Sequence, residues 1–180
     1  MKKTRRRRRG SGKRIGGAYE RKIAGVLGEW WCEDAAAFWR TAGSGARATV
    51  QPLLGLRPGD IAPIHPAAFD CPFMVECKDT NQWSFDQLLR EHRRPLVQYW
   101  SKLLLQCPPF LVPVLIFRGN RTPDFIGVEA SLYRALRQRL KHLPYILYAD
   151  PEEPVRIFVF RLVEFLCAIP PNAIRKEFPL

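Results

Sequence analysis

Four ionisable residues, Glu20, Asp60, Glu76 and Lys78, are spaced so that one reaction could use them all. Glu76 and Lys78 lie in Met74-Val75-Glu76-Cys77-Lys78, which reads as a strand. Alternate strand residues share a face, so Glu76 and Lys78 point one way while Phe73, Val75 and Cys77 point the other. About 6–7 Å apart along the strand, the two charges can reach one point above the sheet. Asp60, in Pro58-Gly59-Asp60-Ile61, precedes Glu76 by sixteen positions. Glu20 stands three residues before Ile23 and seven before Leu27, at the head of an apolar helical stripe, where a carboxylate is costly without a partner. Carboxylates that hold a divalent cation, beside an ammonium that orients or deprotonates water or offsets developing charge, suit phosphodiester hydrolysis. Hard oxygen donors favour Mg²⁺, with Mn²⁺ able to substitute, over zinc. Each residue alone also has a simpler reading: a helix-dipole charge at Glu20, a turn aspartate at Asp60, a solvated ion pair at Glu76 and Lys78.

The elements that must position these groups are legible from periodicity. Ile23, Val26, Leu27 and Trp30 fall at i, i+3, i+4 and i+7, predicting an amphipathic helix from about Gly17 to Cys32. A short apolar stretch, Ala35 to Trp39, leads into Arg40-Thr41-Ala42-Gly43-Ser44. Gly43 to Gly59 reads as a mobile loop. The strand Phe73 to Lys78 follows the turn residues Asp70-Cys71-Pro72. Pro95 opens a second helix ending near Gln106, with Leu96, Val97, Trp100, Leu103 and Leu104 as its apolar stripe, and Pro108-Pro109 stops it. Phe110 to Arg118 and Phe125 to Val128 predict a hairpin around Gly119 to Pro123. A helix near Leu132 to His142, strands near Tyr145 to Tyr148 and Val155 to Phe160, and a helical turn near Leu162 to Ala168 complete the chain. Interspersed helices and strands predict an α/β (α+β) class with a central mixed sheet flanked by helices.

Charge points to the partner. The 180 residues carry 29 Lys and Arg against 17 Asp and Glu, a formal net charge of +12. Lys2 to Arg14 holds nine basic and no acidic residues, leaving the remainder near +3. Residues 1–14, with Arg5, Arg6, Arg7, Arg8 and Arg9 at their centre, read as a disordered basic tail on a single domain spanning 15–180. Such a tail suits a polyanion, because bound cations release counterions from phosphates. No apolar run approaches the roughly 18 residues of a membrane span. Five cysteines (Cys32, Cys71, Cys77, Cys107 and Cys167) with no C-x-x-C pair, and three isolated histidines (His65, His92 and His142), exclude a zinc finger and fit a reduced intracellular compartment. The expected setting is cytoplasmic, at a nucleoid or as a virus-encoded intracellular protein.

The order helix Glu-Arg, basic Gly-Ser turn, Asp, then strand Glu-x-Lys resembles the PD-(D/E)xK nuclease superfamily, and within it the archaeal-type Holliday junction resolvases. The matching residues are Glu20-Arg21, Arg40-Thr41-Ala42-Gly43-Ser44, Asp60-Ile61 and Val75-Glu76-Cys77-Lys78, followed by a helix and the strand Val112 to Phe117. The resemblance covers about Gly16 to Val128, leaving 129–180 as a C-terminal extension. It implies a restriction-endonuclease-like fold, Asp60 and Glu76 as metal ligands with the Cys77 carbonyl, and Lys78 as the catalytic ammonium. It implies Glu20 as a second-metal or water-mediated ligand, and Arg21, Arg40 and Ser44 as contacts to the DNA backbone; Arg47, in the basic loop, is a further candidate DNA contact. In the family the aspartate follows the Gly-Ser turn almost directly; here Gly45 to Gly59 intervene. That insertion makes Asp70 a rival to Asp60, although its place before Pro72 reads better as a turn.

Trp30, Trp31, Trp39 and Trp100 lie on or beside apolar stripes and read as core. Trp83, in polar Gln82-Trp83-Ser84, stays open as a substrate contact, and Gln98 reads as a solvated helix position. Three functions remain in competition. One is a junction-resolving endonuclease, which must cut two strands symmetrically and so implies a C2 homodimer. The second is another PD-(D/E)xK nuclease, restriction-like or a phage recombination enzyme. The third is a non-catalytic basic nucleic-acid-binding protein. No recognition-helix motif reads base identity, so shape-directed binding to branched or duplex DNA is expected.

Overall fold

The computed structural model describes residues 11–41, 58–79, 95–119, 121–149 and 156–180. Its helices are α1 (Ser11–Cys32), α2 (Pro95–Gln106), α3 (Ala130–Ala135), α4 (Arg137–Leu140), α5 (Leu162–Ala168) and α6 (Pro171–Glu177). Its strands are β1 (Phe38–Arg40), β2 (Ile61–Pro63), β3 (Phe73–Asp79), β4 (Val112–Arg118), β5 (Phe125–Glu129), β6 (Ile146–Ala149) and β7 (Arg156–Arg161). The seven strands form one mixed sheet in the order β1-β2-β3-β4-β5-β7-β6. β3 and β4 run parallel, with Glu76 opposite Leu115 and Asp79 opposite Arg118; every other pairing is antiparallel. A parallel pair needs a long crossover, and α2 lies within it.

Apolar residues cover both faces of the sheet. On one face α1 buries Tyr19, Ile23, Leu27 and Trp31, an i+4 stripe, against Phe73, Val75 and Cys77 of β3. On the other, Leu96, Val97, Trp100 and Leu103 of α2 pack on Met74, Leu115 and Phe117. β4 lies centrally between the two clusters, and its unbroken apolar run is what a doubly covered strand requires. Each such fully buried Val, Leu or Phe contributes about 1.5–3 kcal/mol. No helix among the described residues is long and apolar enough to cross a membrane. All five cysteines are free thiols.

Several expectations need correction. α1 starts at Ser11, so Ser11 to Arg14, expected in the disordered tail, are helical; Lys and Arg are good helix formers and extend the amphipathic segment backwards. The helix expected over Leu132 to His142 starts at Ala130 and divides into α3 and α4 at Leu136, whose φ of −102° and ψ of 12° leave the helical range. β1, β2 and α6 went unread, because segments of three to seven residues carry too little periodicity. The tail with Arg5 to Arg9, most of the loop from Gly43 (with Ser44 and Arg47), Trp83 and His92 lie outside the described residues.

Of the four tryptophans read as core, Trp31 and Trp100 are core, Trp30 is partly buried against it, and Trp39 is half-buried at β1 outside both apolar clusters. Trp100 is 1 % and Trp31 2 % exposed. Trp30 stacks on Phe73 with centroids 6.0 Å apart and donates from Nε1 to the Ile169 carbonyl at 2.9 Å.

Candidate active site

Asp60 reaches the site through a turn that only glycine tolerates. Gly59 has a φ of +105°, and a Cβ there would stand 2.8 Å from the Val75 carbonyl oxygen. That close approach lets the Asp60 amide donate to Val75 O at 2.7 Å. Thr41, just beyond β1, locks the turn from the other side. Its amide donates to Asp60 O at 2.8 Å and its hydroxyl donates to Gly59 O. The β2–β3 ladder closes at Ile61 and Val75, and the next free amide on that edge, Cys77 N–H, donates to Asp60 Oδ2 at 2.8 Å. Asp60 therefore sits at the edge of β3 beside the Glu-x-Lys residues. Replacing Gly59 with Ala is expected to cost about 1–3 kcal/mol from strain at positive φ. It should also displace Asp60, so urea denaturation and a cleavage assay should both show the loss.

Glu76 and Lys78 share a face of β3, as alternation requires, and Met74 on that face packs under α2. The Lys78 ammonium donates to Glu76 Oε1 and lies 3.8 Å from Asp60 Oδ2. One cation thus bridges both carboxylates, which shows that they converge on one point. Tyr99 of α2 presents its ring 5.5 Å from the same Nζ. Burial opposes the charge on Lys78, but the Glu76 hydrogen bond and the Glu76 and Asp60 charges outweigh it and raise its pKa.

Glu20 approaches from α1 on the opposite face and pairs with Arg40 Nε of β1 at 2.8 Å. The buried Cys77 thiol between these groups is pushed well up, first by burial and then by the Asp60 and Glu20 charges. It remains a neutral core side chain, with no thiol chemistry to offer. Arg21 is exposed on α1, and Gln98 is exposed on α2.

Asp70 lies elsewhere in the bonding pattern. Its carboxylate accepts from Trp31 Nε1 at 3.0 Å and from Arg175 Nε of α6 at 2.6 Å, with Arg175 also over the Trp31 ring. Burial alone would raise its pKa, but the Arg175 and Trp31 hydrogen bonds prevail and hold it below the usual carboxylate value. A depressed folded pKa gives stability that is present above the unfolded pKa and lost as pH falls through the folded one. Asp70→Asn should therefore destabilise at neutral pH and converge with the wild type at strongly acidic pH. Because the pair is half-exposed, a loss of about 0.5–1 kcal/mol in thermal melts is expected.

Asp79 is a further carboxylate near the site. Arg118 holds it at 2.7 Å across the parallel β3–β4 ends, and the guanidinium lies 4.6 Å from the Tyr19 ring centre. Sequence reasoning missed Tyr99 and this Asp79–Arg118 brace. The brace had a signal, since two adjacent parallel strands end in opposite charges; Tyr99 had none, since only the packing of α2 brings it to Lys78.

Among the described residues no group of three or more His, Cys, Asp and Glu side chains forms a metal-binding cluster. The donor set is two carboxylates, Asp60 and Glu76, beside the Cys77 backbone. Their chemistry is all hard oxygen, which suits a divalent cation such as Mg²⁺, and both carboxylates pair with the one Lys78 ammonium.

A family model described as phage putative PDDEXK endonuclease matches residues 11–176. The chain belongs to that family. The match runs from the first turn of α1 into the last turn of α6, so it takes in all four ionisable residues and most of the segment 129–180. No curated protein and no solved structure matches the chain. The mixed sheet with helices on both faces is accordingly a restriction-endonuclease-like fold, and the chain is a nuclease of the PD-(D/E)xK superfamily. Its members generally use divalent metals.

Proposed function

We propose that the chain is a Mg²⁺-dependent DNA endonuclease that resolves four-way junctions as a homodimer, with Asp60, Glu76 and Lys78 as its catalytic residues. The observation that carries the catalytic part is the convergence of Asp60 and Glu76 on the Lys78 ammonium. Asp60, Glu76 and the Cys77 carbonyl would hold the metal, which when bound supplies a Lewis acid for the scissile phosphate. Asp60 stays in place because the Cys77 amide and the Gly59 turn fix it. Lys78, released from the carboxylates it now bridges, places its charge beside the developing negative charge of the phosphate. Glu20 pairs with Arg40, and Arg40 and Arg21 would contact the DNA backbone, joined by Ser44 and Arg47. The setting is intracellular.

The junction preference rests on the resemblance in the Glu20-Arg21 and Arg40 to Ser44 segments and on the lack of a base-reading motif. The family's description is equally compatible with a second reading, another PD-(D/E)xK nuclease, restriction-like or a phage recombination enzyme, acting on duplexes or ends. A labelled four-way junction and its matching linear duplex separate the two. Paired symmetric nicks in the junction alone support the first reading, and degradation of the duplex supports the second.

The basic tail should contribute affinity and little chemistry. Deleting residues 1–10 removes seven of the positive charges and leaves α1 whole. The slope of log affinity against log salt should fall by about 0.9 for each duplex phosphate that the shortened chain no longer neutralises. Cleavage at saturating protein should hold. An unchanged slope in titrations at several salt concentrations would assign DNA binding to Arg21, Arg40 and Arg47 instead.

A further inference from the structure

A second basic and aromatic site lies at the far edge of the sheet. A groove of about 470 Å³ opens between α3, α4, β6 and β7. Its floor is Tyr133 stacked on Phe158, with centroids 4.0 Å apart and planes 8° from parallel. Tyr145 stands beside them, 5.5 Å from both rings and tilted by about half a right angle, with 43 % of its surface exposed. Arg134, Arg137 and Arg156, all exposed, complete the rim, and none of the described residues lining the groove is acidic. Phe158 belongs to the core on the α1 face, so the groove lies on the sheet face opposite Glu76 and Lys78. It is three to four strand spacings from β3, about 14–19 Å.

Exposed Leu147 on the outer strand β6, with exposed Tyr145 just before it, is unusual at a sheet edge, which is normally blunted by charge on the strand itself. Three arginines around the aromatic floor argue against a second copy of this chain as the occupant, since a symmetric contact would bring like charges together. Together, the rings and the guanidinium groups match a ligand with a flat apolar face and a negative backbone. We propose that this groove binds an unpaired nucleotide of a DNA strand, with its base on the exposed Tyr145 ring and its flanking phosphates on Arg137 and Arg156. Aromatic rings that stack any base, within a positively charged groove, give single-strand binding without sequence preference. The choice of DNA as the ligand rests on the nuclease reading; the groove itself uses none of the catalytic residues. It would hold an unpaired segment away from the cutting site.

The test uses the full chain in EDTA at elevated salt, which suppresses the contribution of the tail. A short single-stranded oligonucleotide carrying 5-iododeoxyuridine is irradiated with the protein and the adducts are mapped by mass spectrometry. Adducts on Tyr145 are expected. Tyr145→Ala should weaken single-strand binding about tenfold, as loss of one stacked base does, and an abasic oligonucleotide should bind the wild type correspondingly less tightly. Adducts confined to other residues, or Tyr145→Ala and Arg156→Gln proteins that bind like the wild type, would overturn the proposal. The mapping on wild-type protein needs no variant to fold. Cleavage assays with metal are read separately, so failure of the nuclease reading leaves the adduct result standing, and the converse also holds.

Discussion

Glu76→Gln and Asp60→Asn should each retain DNA binding and lose cleavage by about three orders of magnitude or more, some 4 kcal/mol of barrier. Both amides preserve the local structure. An Asn at position 60 still offers an oxygen to the Cys77 amide, and a Gln at position 76 still accepts from the Lys78 ammonium. What each variant removes is one of two converging negative charges, and with it a hard oxygen ligand. Asp70→Asn is the control. Its carboxylate serves Trp31 and Arg175, so the variant should cut like the wild type while melting slightly earlier. An active Asp60→Asn protein with an inactive Asp70→Asn protein would reverse the choice between the two aspartates.

Lys78→Ala should abolish cleavage to a similar degree while leaving metal affinity intact or tighter. The ammonium bridges the two carboxylates and competes with any bound cation for them, so its removal frees ligands and takes none away. Lys78→Arg should rescue poorly, because a planar guanidinium cannot place a compact charge at the same point beneath the Tyr99 ring. Mn²⁺ titration followed calorimetrically, alongside single-turnover cleavage, separates the two effects. A Lys78→Ala protein that cuts normally would remove the residue from the chemistry.

Much of this arrangement is legible in the sequence because it follows strict periodicities. The alternation in Phe73 to Lys78 places Glu76 and Lys78 together and Cys77 in the core, and the structure has them so. α2 runs over the predicted residues, since Pro95 and Pro108-Pro109 bracket an apolar stripe. The hairpin of β4 and β5 follows from two apolar runs around a turn.

What escaped the sequence is non-local. The three-residue strands β1 and β2 exist because Phe38 to Arg40 pairs with Ile61 to Pro63 across twenty intervening residues, too far apart for local periodicity to link them. That pairing brings Thr41 to Asp60, which favours Asp60 over Asp70 across the inserted segment. The Glu20–Arg40 pair likewise depends on α1 crossing β1, so composition showed only two separate charges.

The central claim is that a divalent cation held by Asp60 and Glu76 drives hydrolysis of DNA. The most direct measurement is single-turnover cleavage of labelled branched and duplex DNA by wild-type and Glu76→Gln protein, in Mg²⁺ and in EDTA. Cuts by the wild type in Mg²⁺ alone, absent in EDTA and absent from Glu76→Gln, are the predicted result. Cleavage that persists in EDTA or in Glu76→Gln, or its absence from the wild type on both DNAs in Mg²⁺ and in Mn²⁺, would contradict it.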